Sequence, residues 1–125
     1  MSFVSTGIAG LDYVLCGGLP QGRLYLIQGE PGTGKTTLAM QFLLAGRDLG
    51  ETVMYITLSE TEEELRAVAQ THRWDLSGLI IRDLSVLEEQ LGAAAENTLF
   101  HPSEIELTDT MQVLLASIEA LKPQR

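Results

Sequence analysis

The sequence has few of the residues that direct a chain to an oxidising compartment, a membrane or a nucleic acid. A single cysteine, Cys16, excludes an intrachain disulfide and a cysteine cluster for a metal, and we expect a small buried or half-buried thiol there. No apolar run is long enough to cross a bilayer. Only 8 basic residues accompany 17 acidic ones, giving a net charge of −9 at pH 7, and such a surface repels a phosphate backbone. The composition therefore supports neither membrane nor nucleic-acid binding.

The remaining composition is that of a globular domain. The chain has 125 residues, of which 45% are hydrophobic, enough to bury about two-thirds of the surface of the unfolded chain. The first residues, Met1 to Ser5, lack the basic and apolar regions of a signal peptide, which predicts a cytoplasmic location. His72 and His101 have no partner at metal-ligand spacing, so we expect both to be structural or solvent-facing.

The most informative stretch matches the phosphate-binding pattern G-x-x-x-x-G-K-S/T. Its nine residues are Gly29, Glu30, Pro31, Gly32, Thr33, Gly34, Lys35, Thr36 and Thr37. Glycines let the backbone curl around a phosphate with its N–H groups pointing inward. Lys35 can supply charge to the β- and γ-phosphates, Thr36 can bind the Mg²⁺ that bridges them, and Thr37 can reach the α-phosphate side. The pattern predicts a nucleotide site with Mg²⁺.

The residues around the loop agree with this interpretation. The apolar run Leu24–Ile27 predicts a strand before the loop, and apolar residues at helical spacing predict a helix that starts near Lys35 and stops at Gly50. The alternative is a glycine-rich surface turn with an incidental lysine. A dinucleotide-binding fingerprint fits less well, because Thr37 stands where that pattern needs glycine or alanine.

Downstream, strand and helix patterns alternate. Residues 52–58 predict a strand buried on both faces, in the same sheet as the first strand. Thr61 and Glu64 have capping-box spacing before a helix, and residues 79–84 predict a third strand. Residues 85–102 give a weak signal for a short helix and a loop. An apolar stripe behind Thr108 as N-cap predicts a last helix that ends at Lys122-Pro123. The members of that stripe are Met111, Leu114, Leu115, Ile118 and Leu121.

Glu60 is the candidate catalytic carboxylate. It follows the strand at residues 52–58, and open α/β sheets bind their ligands at the carboxyl ends of such strands. A carboxylate at that edge can orient or deprotonate the water that attacks a γ-phosphate. The alternative is that Glu60 is only a residue preceding a helix.

Two further motifs carry a family resemblance. Ser5–Asp12 reads S-T-G-I-A-G-L-D and Gly17–Gly22 reads G-G-L-P-Q-G, and both precede the phosphate-binding loop. This combination resembles the entry to the RecA-type ATPase core of the KaiC and RadA-like family, over nearly the whole chain. The resemblance implies a three-layer α-β-α P-loop NTPase fold with a mostly parallel sheet, and ATP as the nucleotide. The family ends the second strand with an acidic pair that activates water; here the pair reads Ser59-Glu60, so the role passes to Glu60 alone.

The resemblance also implies that residues 1–125 are the amino-terminal portion of a single ATPase domain. In the family, the Walker B strand, which ends in an aspartate, follows a helix that ends as Leu121–Arg125 does here, so the chain is expected to be truncated before it. Such a portion would expose strand edges and could self-associate. The parent would be a homo-oligomer, a hexameric ring in which neighbouring subunits complete the site.

Two functions remain open at this point. One is Mg²⁺-dependent ATP hydrolysis, with Lys35 providing charge and Glu60 acting on the water. The other is a nucleotide-dependent regulatory or signalling module with little or no turnover, which Ser59 favours. A GTPase is disfavoured because the chain has no N-K-x-D or T-K-x-D motif. An AAA-type ATPase would leave the residues from Gly7 to Asp12 unexplained.

Overall fold

A computed structural model of the chain describes residues 1–84 and 102–125, of which 102–107 are described by their backbone alone. The elements are β1 (Phe3–Val4), α1 (Ala9–Val14), β2 (Leu19–Pro20), α2 (Lys35–Asp48), β3 (Val53–Thr57), α3 (Glu62–Thr71), β4 (Leu79–Asp83) and α4 (Pro102–Leu121). The weak helix and loop signals between residues 85 and 101, together with His101, lie outside the described residues.

The main sheet of the described part is a parallel pair built by a β-α-β unit. β3 and β4 pair in parallel, from Val53 opposite Leu79 to Thr57 opposite Asp83, with α3 as the crossover between them. A separate two-stranded antiparallel sheet joins β1 to β2 near the start of the chain. Helices combined with a parallel sheet confirm the predicted α/β class, and β3, α3 and β4 lie where the sequence predicts them.

The core lies between α2, α3 and the parallel pair. Met40, Val53 and Leu65 are each fully buried, one from each of α2, β3 and α3. The other members of this cluster are Leu43, Leu44, Ala69, Leu76 and Leu79. Because a buried aliphatic side chain contributes roughly 1.5–3 kcal/mol through the hydrophobic effect, this cluster holds α2 against the sheet. The helix that follows the loop is thereby packed against β3.

The strand predicted over Leu24–Ile27 is wrong for this structure. Residues 23–30 form neither helix nor strand, and Leu24 and Leu26 are 99% and 86% exposed. A strand is defined by its ladder hydrogen bonds, and no described segment pairs with these residues. Local β propensity is therefore insufficient to make these residues a strand without a partner strand beside them.

Helix α4 begins earlier than predicted. It starts at Pro102 rather than after Thr108, and it ends before Lys122-Pro123 as predicted. Proline is well suited to the first helical position, because the N–H group it lacks would have no partner inside the helix there. Three residues of the predicted apolar stripe, Met111, Leu115 and Ile118, are between 38% and 52% exposed.

The last two residues hold the edge of β3. The Gln124 amide donates to the Thr52 carbonyl at 2.8 Å, and the Met54 amide donates to the Arg125 carbonyl at 3.0 Å. The Arg125 side chain is only 2% exposed, and its guanidinium pairs with Glu51 at 2.6 Å. It also donates to the Ser5 and Phe42 carbonyls, at 2.7 and 3.0 Å. Arg125 therefore ties the start of the chain, α2 and the β3 edge together.

Three smaller predictions have clear outcomes. The Cys16 thiol is exposed, because the residue follows α1 at φ 57°, in a turn on the surface, so the predicted burial is wrong. His72 is exposed and stacks on Trp74 with ring centroids 4.4 Å apart, as expected for a solvent-facing residue. In the described ranges, no helix combines the length and the apolar character needed to span a bilayer.

Candidate functional site

The phosphate-binding loop forms an exposed turn that runs into α2. The helix begins at Lys35, as predicted, and Gly34 immediately before it is left-handed at φ 98°. An added Cβ at Gly29 would lie 2.8 Å from the Thr33 hydroxyl, which itself donates to the Glu30 carbonyl at 2.8 Å. A side chain at position 29 would thus displace the Thr33 hydroxyl, and the backbone conformation at position 34 favours glycine.

The loop offers free donors to an anion. Among the described residues, the amides of Gly34, Lys35, Thr36 and Thr37 find no acceptor, as expected for the first turn of a helix. The Lys35 ammonium folds back onto the loop and donates to the Gly29 and Glu30 carbonyls, at 2.6 and 2.8 Å. Unpaired amides at a helix N-terminus together with a lysine held inside the same loop are the donor set that a polyphosphate requires. The residues present fit a phosphate group.

Glu60 and Thr36 are in direct contact across the sheet edge. The Thr36 hydroxyl donates to the Glu60 carboxylate at 3.1 Å, and both residues are half-buried. The two residues are 24 positions apart in sequence, yet they meet because α2 packs against β3 and Glu60 follows the carboxyl end of that strand. A hydroxyl and a carboxylate are also oxygen ligands of the kind that Mg²⁺ prefers. The structure therefore brings the predicted metal-binding hydroxyl and the predicted catalytic carboxylate together.

Tyr55 is a neighbour of this pair that the sequence did not indicate. Burial raises the pKa of the Tyr55 phenol; the Thr36 hydroxyl opposes that rise, and the negative charge of Glu60 adds to it. Alternation along β3 places Tyr55 on the opposite face from Met54. A tyrosine in a strand is ordinarily interpreted as a packing residue. Its proximity to Thr36 and Glu60 becomes visible only once α2 is placed against β3.

The N-terminal motif forms a hydrogen-bonded cluster of its own. The Ser5 and Thr6 hydroxyls donate to the Asp12 carboxylate at 2.5 and 2.7 Å, and the Thr6 amide donates to it at 2.8 Å. Hydrogen bonding by Ser5 above all, then by Thr6, lowers the pKa of Asp12 below its usual value. Thr6 is 2% exposed. The motif residues thus fix the start of the chain, and the Ser5 carbonyl receives Arg125.

Comparisons with known proteins agree with this geometry. The sequence profile of the family described as "ATPase: KaiC" matches residues 4–125. A UPF0273 protein of Methanopyrus kandleri is 43% identical over 72 residues, which are 58% of this chain and 29% of that protein. The circadian clock oscillator protein KaiC of Parathermosynechococcus lividus is 44% identical over 78 residues, or 62% of this chain and 14% of that protein.

The matched segment thus spans less than a third of each of these relatives. The family profile, by contrast, covers nearly the entire chain, including the N-terminal motif, the loop and the residues that end at Arg125. A profile match of that extent shows family membership. The chain belongs to the KaiC family of RecA-type P-loop ATPases.

Proposed function

We propose that this chain binds Mg²⁺-ATP at Gly29–Thr37 and that the gene product hydrolyses it, with Glu60 acting on the attacking water. The observation that carries the proposal is the 3.1 Å contact between Thr36 and Glu60 beside a loop with free amides. It joins, at one sheet edge, a metal-binding hydroxyl and a carboxylate that can serve as a base. Family membership supports ATP as the nucleotide.

Each residue has a distinct task in this mechanism. The amides of Gly34 to Thr37 hold the phosphate oxygens, and Lys35 exchanges its two carbonyl acceptors for the β- and γ-phosphates. Thr36 would hold Mg²⁺ through its hydroxyl, and the bound ion would supply positive charge to the phosphates. Glu60, released from Thr36, accepts a hydrogen bond from water and orients it for in-line attack.

We also propose that residues 1–125 are the amino-terminal portion of one ATPase domain. Two observations support this: the relatives are longer than the matched segment, and residues 124 and 125 already bond to the β3 edge in the pattern of a parallel neighbour. A further strand between β3 and residues 24–27 would give residues 24–27 the partner they lack and β3 a second neighbour. A ring assembly that completes the site from a neighbouring subunit is part of the same proposal, on family grounds.

A regulatory module with slow or absent turnover is the second candidate. Ser59 favours it, because this exposed residue supplies no carboxylate beside Glu60. In that case nucleotide binding would persist while hydrolysis would be negligible. Binding and hydrolysis must therefore be measured separately.

Phosphate release by the full-length gene product, with and without Glu60→Gln, tests the proposal. We expect hydrolysis to fall by about 10²–10⁴-fold in Glu60→Gln, the usual contribution of a positioned base, while ATP binding is retained. Glu63→Gln is the matched control, since Glu63 is exposed on the first turn of α3. Equal rates in wild type and Glu60→Gln would remove Glu60 from the mechanism, and binding without phosphate release in wild type would favour the regulatory module.

A further inference from the structure

Thr57 is a buried polar residue at the carboxyl end of β3, and the assigned site does not use it. The residue is 5% exposed, and among the described residues only Thr6 is a comparably buried polar residue. The register of the sheet fixes its backbone: Thr57 lies opposite Asp83, and its carbonyl accepts from the Leu84 amide at 2.9 Å. The hydroxyl therefore projects from a rigid point.

That hydroxyl makes both of its hydrogen bonds to the backbone of one residue. It donates to the Glu60 carbonyl at 2.7 Å and accepts from the Glu60 amide at 3.1 Å. The turn from β3 into α3 is thus closed at the residue whose carboxylate contacts Thr36. Bonds to both the N–H and the carbonyl of Glu60 restrict its backbone dihedral angles, and so restrict where its side chain can reach.

The far side of the turn is held independently. The Glu62 amide donates to the Asp83 carboxylate at 2.9 Å, so the end of β4 fixes the first residue of α3. The Thr61 hydroxyl accepts from the Glu64 amide, and the Glu64 carboxylate accepts from the Thr61 amide, forming the predicted capping box. Because α3 is anchored in this way, removing the Thr57 hydroxyl would loosen the turn without releasing the helix.

The strand itself does not need a hydroxyl at this position. Valine has the same shape and at least equal β propensity, and it would pair with β4 through the same backbone groups. A buried hydroxyl is stable only when it is hydrogen-bonded, and Glu60 supplies both partners. The Thr57 hydroxyl therefore serves the turn between β3 and α3 rather than the strand.

We propose that Thr57 is a positioning residue that fixes Glu60 against the phosphate-binding loop. The proposal deepens the function proposed above and rests on it for the catalytic consequence. Thr57 touches neither nucleotide nor water in this mechanism, and it acts only through the Glu60 backbone. Sequence reasoning missed it because threonine is a common strand residue; its signal is a hydroxyl three residues before a candidate carboxylate.

The test compares Thr57→Val, which removes the hydroxyl at constant shape, with Thr57→Ser, which keeps it. In the full-length gene product we expect Thr57→Val to lower kcat for ATP hydrolysis by about 10–100-fold, the usual loss on removing an outer-shell partner, with little change in KM. Thr57→Ser should restore kcat to near wild type. Thr71→Val is the control, because it removes a hydroxyl bonded to the Val68 carbonyl at the other end of α3.

Amide hydrogen exchange provides a readout that does not depend on turnover. Exchange at the Glu60 amide should become about tenfold faster in Thr57→Val, as expected for the loss of one hydrogen bond, and should stay unchanged in Thr57→Ser. Exchange in the core of α3 should stay unchanged in both. Thermal unfolding of each variant establishes that the measured protein is folded, and Thr57→Ala replaces Thr57→Val if that variant does not fold.

The outcomes separate the two proposals. Unchanged Glu60 exchange in Thr57→Val, or a loss of kcat that Thr57→Ser fails to restore, would overturn the positioning role. Absence of phosphate release by wild type would instead contradict the enzymatic function, and exchange at Glu60 would still decide whether Thr57 fixes the turn.

Discussion

Two apolar segments of similar composition flank the phosphate-binding loop, and only one of them is a strand. Val53–Thr57 forms β3 beside β4, and Val53 is fully buried. The sequence of Leu24–Ile27 is also typical of a strand, but this segment has no partner strand among the described residues, and Leu24 is 99% exposed. A groove of about 530 Å³ adjoins Leu24 and Ile27, with apolar residues of α2 in its wall. A partner strand, rather than residue composition, therefore decides whether such a segment enters the sheet.

The largest effect is expected from placing a charge in each segment. Val53→Asp buries a carboxylate and should lower the free energy of unfolding by at least about 4 kcal/mol. In the 125-residue chain, Leu24→Asp should change it by less than about 0.5 kcal/mol, as at other exposed sites. Chemical denaturation of both variants measures the difference.

The same pair of variants in the full-length gene product sharpens the comparison. If a further strand covers residues 24–27, Leu24→Asp should become as destabilising there as Val53→Asp. A neutral Leu24→Asp in the full-length protein would contradict the proposed domain organisation.

The next largest effect concerns the cation that holds the outer edge of β3. Arg125→Met leaves Glu51 without its partner and removes the guanidinium bonds to the Ser5 and Phe42 carbonyls. Because the Arg125 side chain is 2% exposed, we expect a loss of about 3 kcal/mol in the free energy of unfolding. Arg23→Met, at an exposed position in the unpaired region, is the control. Equal stability of the two variants would show that the Arg125 contacts do not anchor the sheet.

A smaller effect is expected at the helix that follows β3. Thr61→Ala removes the capping box of α3 and should lower stability by about 1 kcal/mol. Ser59→Ala, two residues earlier and exposed, should have no measurable effect on the denaturation midpoint. If both variants unfold at the same denaturant concentration, the cap does not stabilise α3.

The smallest effect is the pH dependence contributed by Asp12. Its pKa is lowered in the folded chain by hydrogen bonds from Ser5 and Thr6, so the unfolded chain binds a proton more readily. The stability from these bonds is therefore complete above the unfolded pKa, about 3.9, and is lost as the pH falls through the folded value. Melting temperatures between pH 6 and pH 3 should fall more steeply in wild type than in Asp12→Asn. Identical slopes would exclude Asp12 as a source of acid sensitivity.

Local signals predicted the elements whose stability is local or whose partners lie nearby in sequence. The capping box of α3, the start of α2 at Lys35 and the existence of strands β3 and β4 follow from short patterns. The start of α4 was misplaced because polar residues at its N-terminus obscure the periodicity. The unpaired state of Leu24–Ile27 depends on which strands surround it, and a local pattern does not contain that information.

The candidate site, like the fold, was predictable from the sequence only where short local patterns mark its residues. The loop pattern predicted the phosphate-binding residues, and the position of Glu60 after a strand predicted the candidate carboxylate. In the structure the two parts of the site meet where the Thr36 hydroxyl contacts Glu60. Tyr55 and Thr57 were missed because their roles depend on three-dimensional neighbours: α2 for Tyr55 and the Glu60 backbone for Thr57. Neither residue type is unusual in a strand.

The most direct measurement is calorimetric titration of Mg²⁺-ATP into the full-length gene product, its Lys35→Ala variant and the control Lys122→Ala, which alters the other lysine of the chain. A loop whose amides and Lys35 hold a polyphosphate should give saturable heat in wild type and Lys122→Ala, and none in Lys35→Ala. Absence of heat in wild type, or equal affinity in Lys35→Ala, would contradict nucleotide binding at Gly29–Thr37.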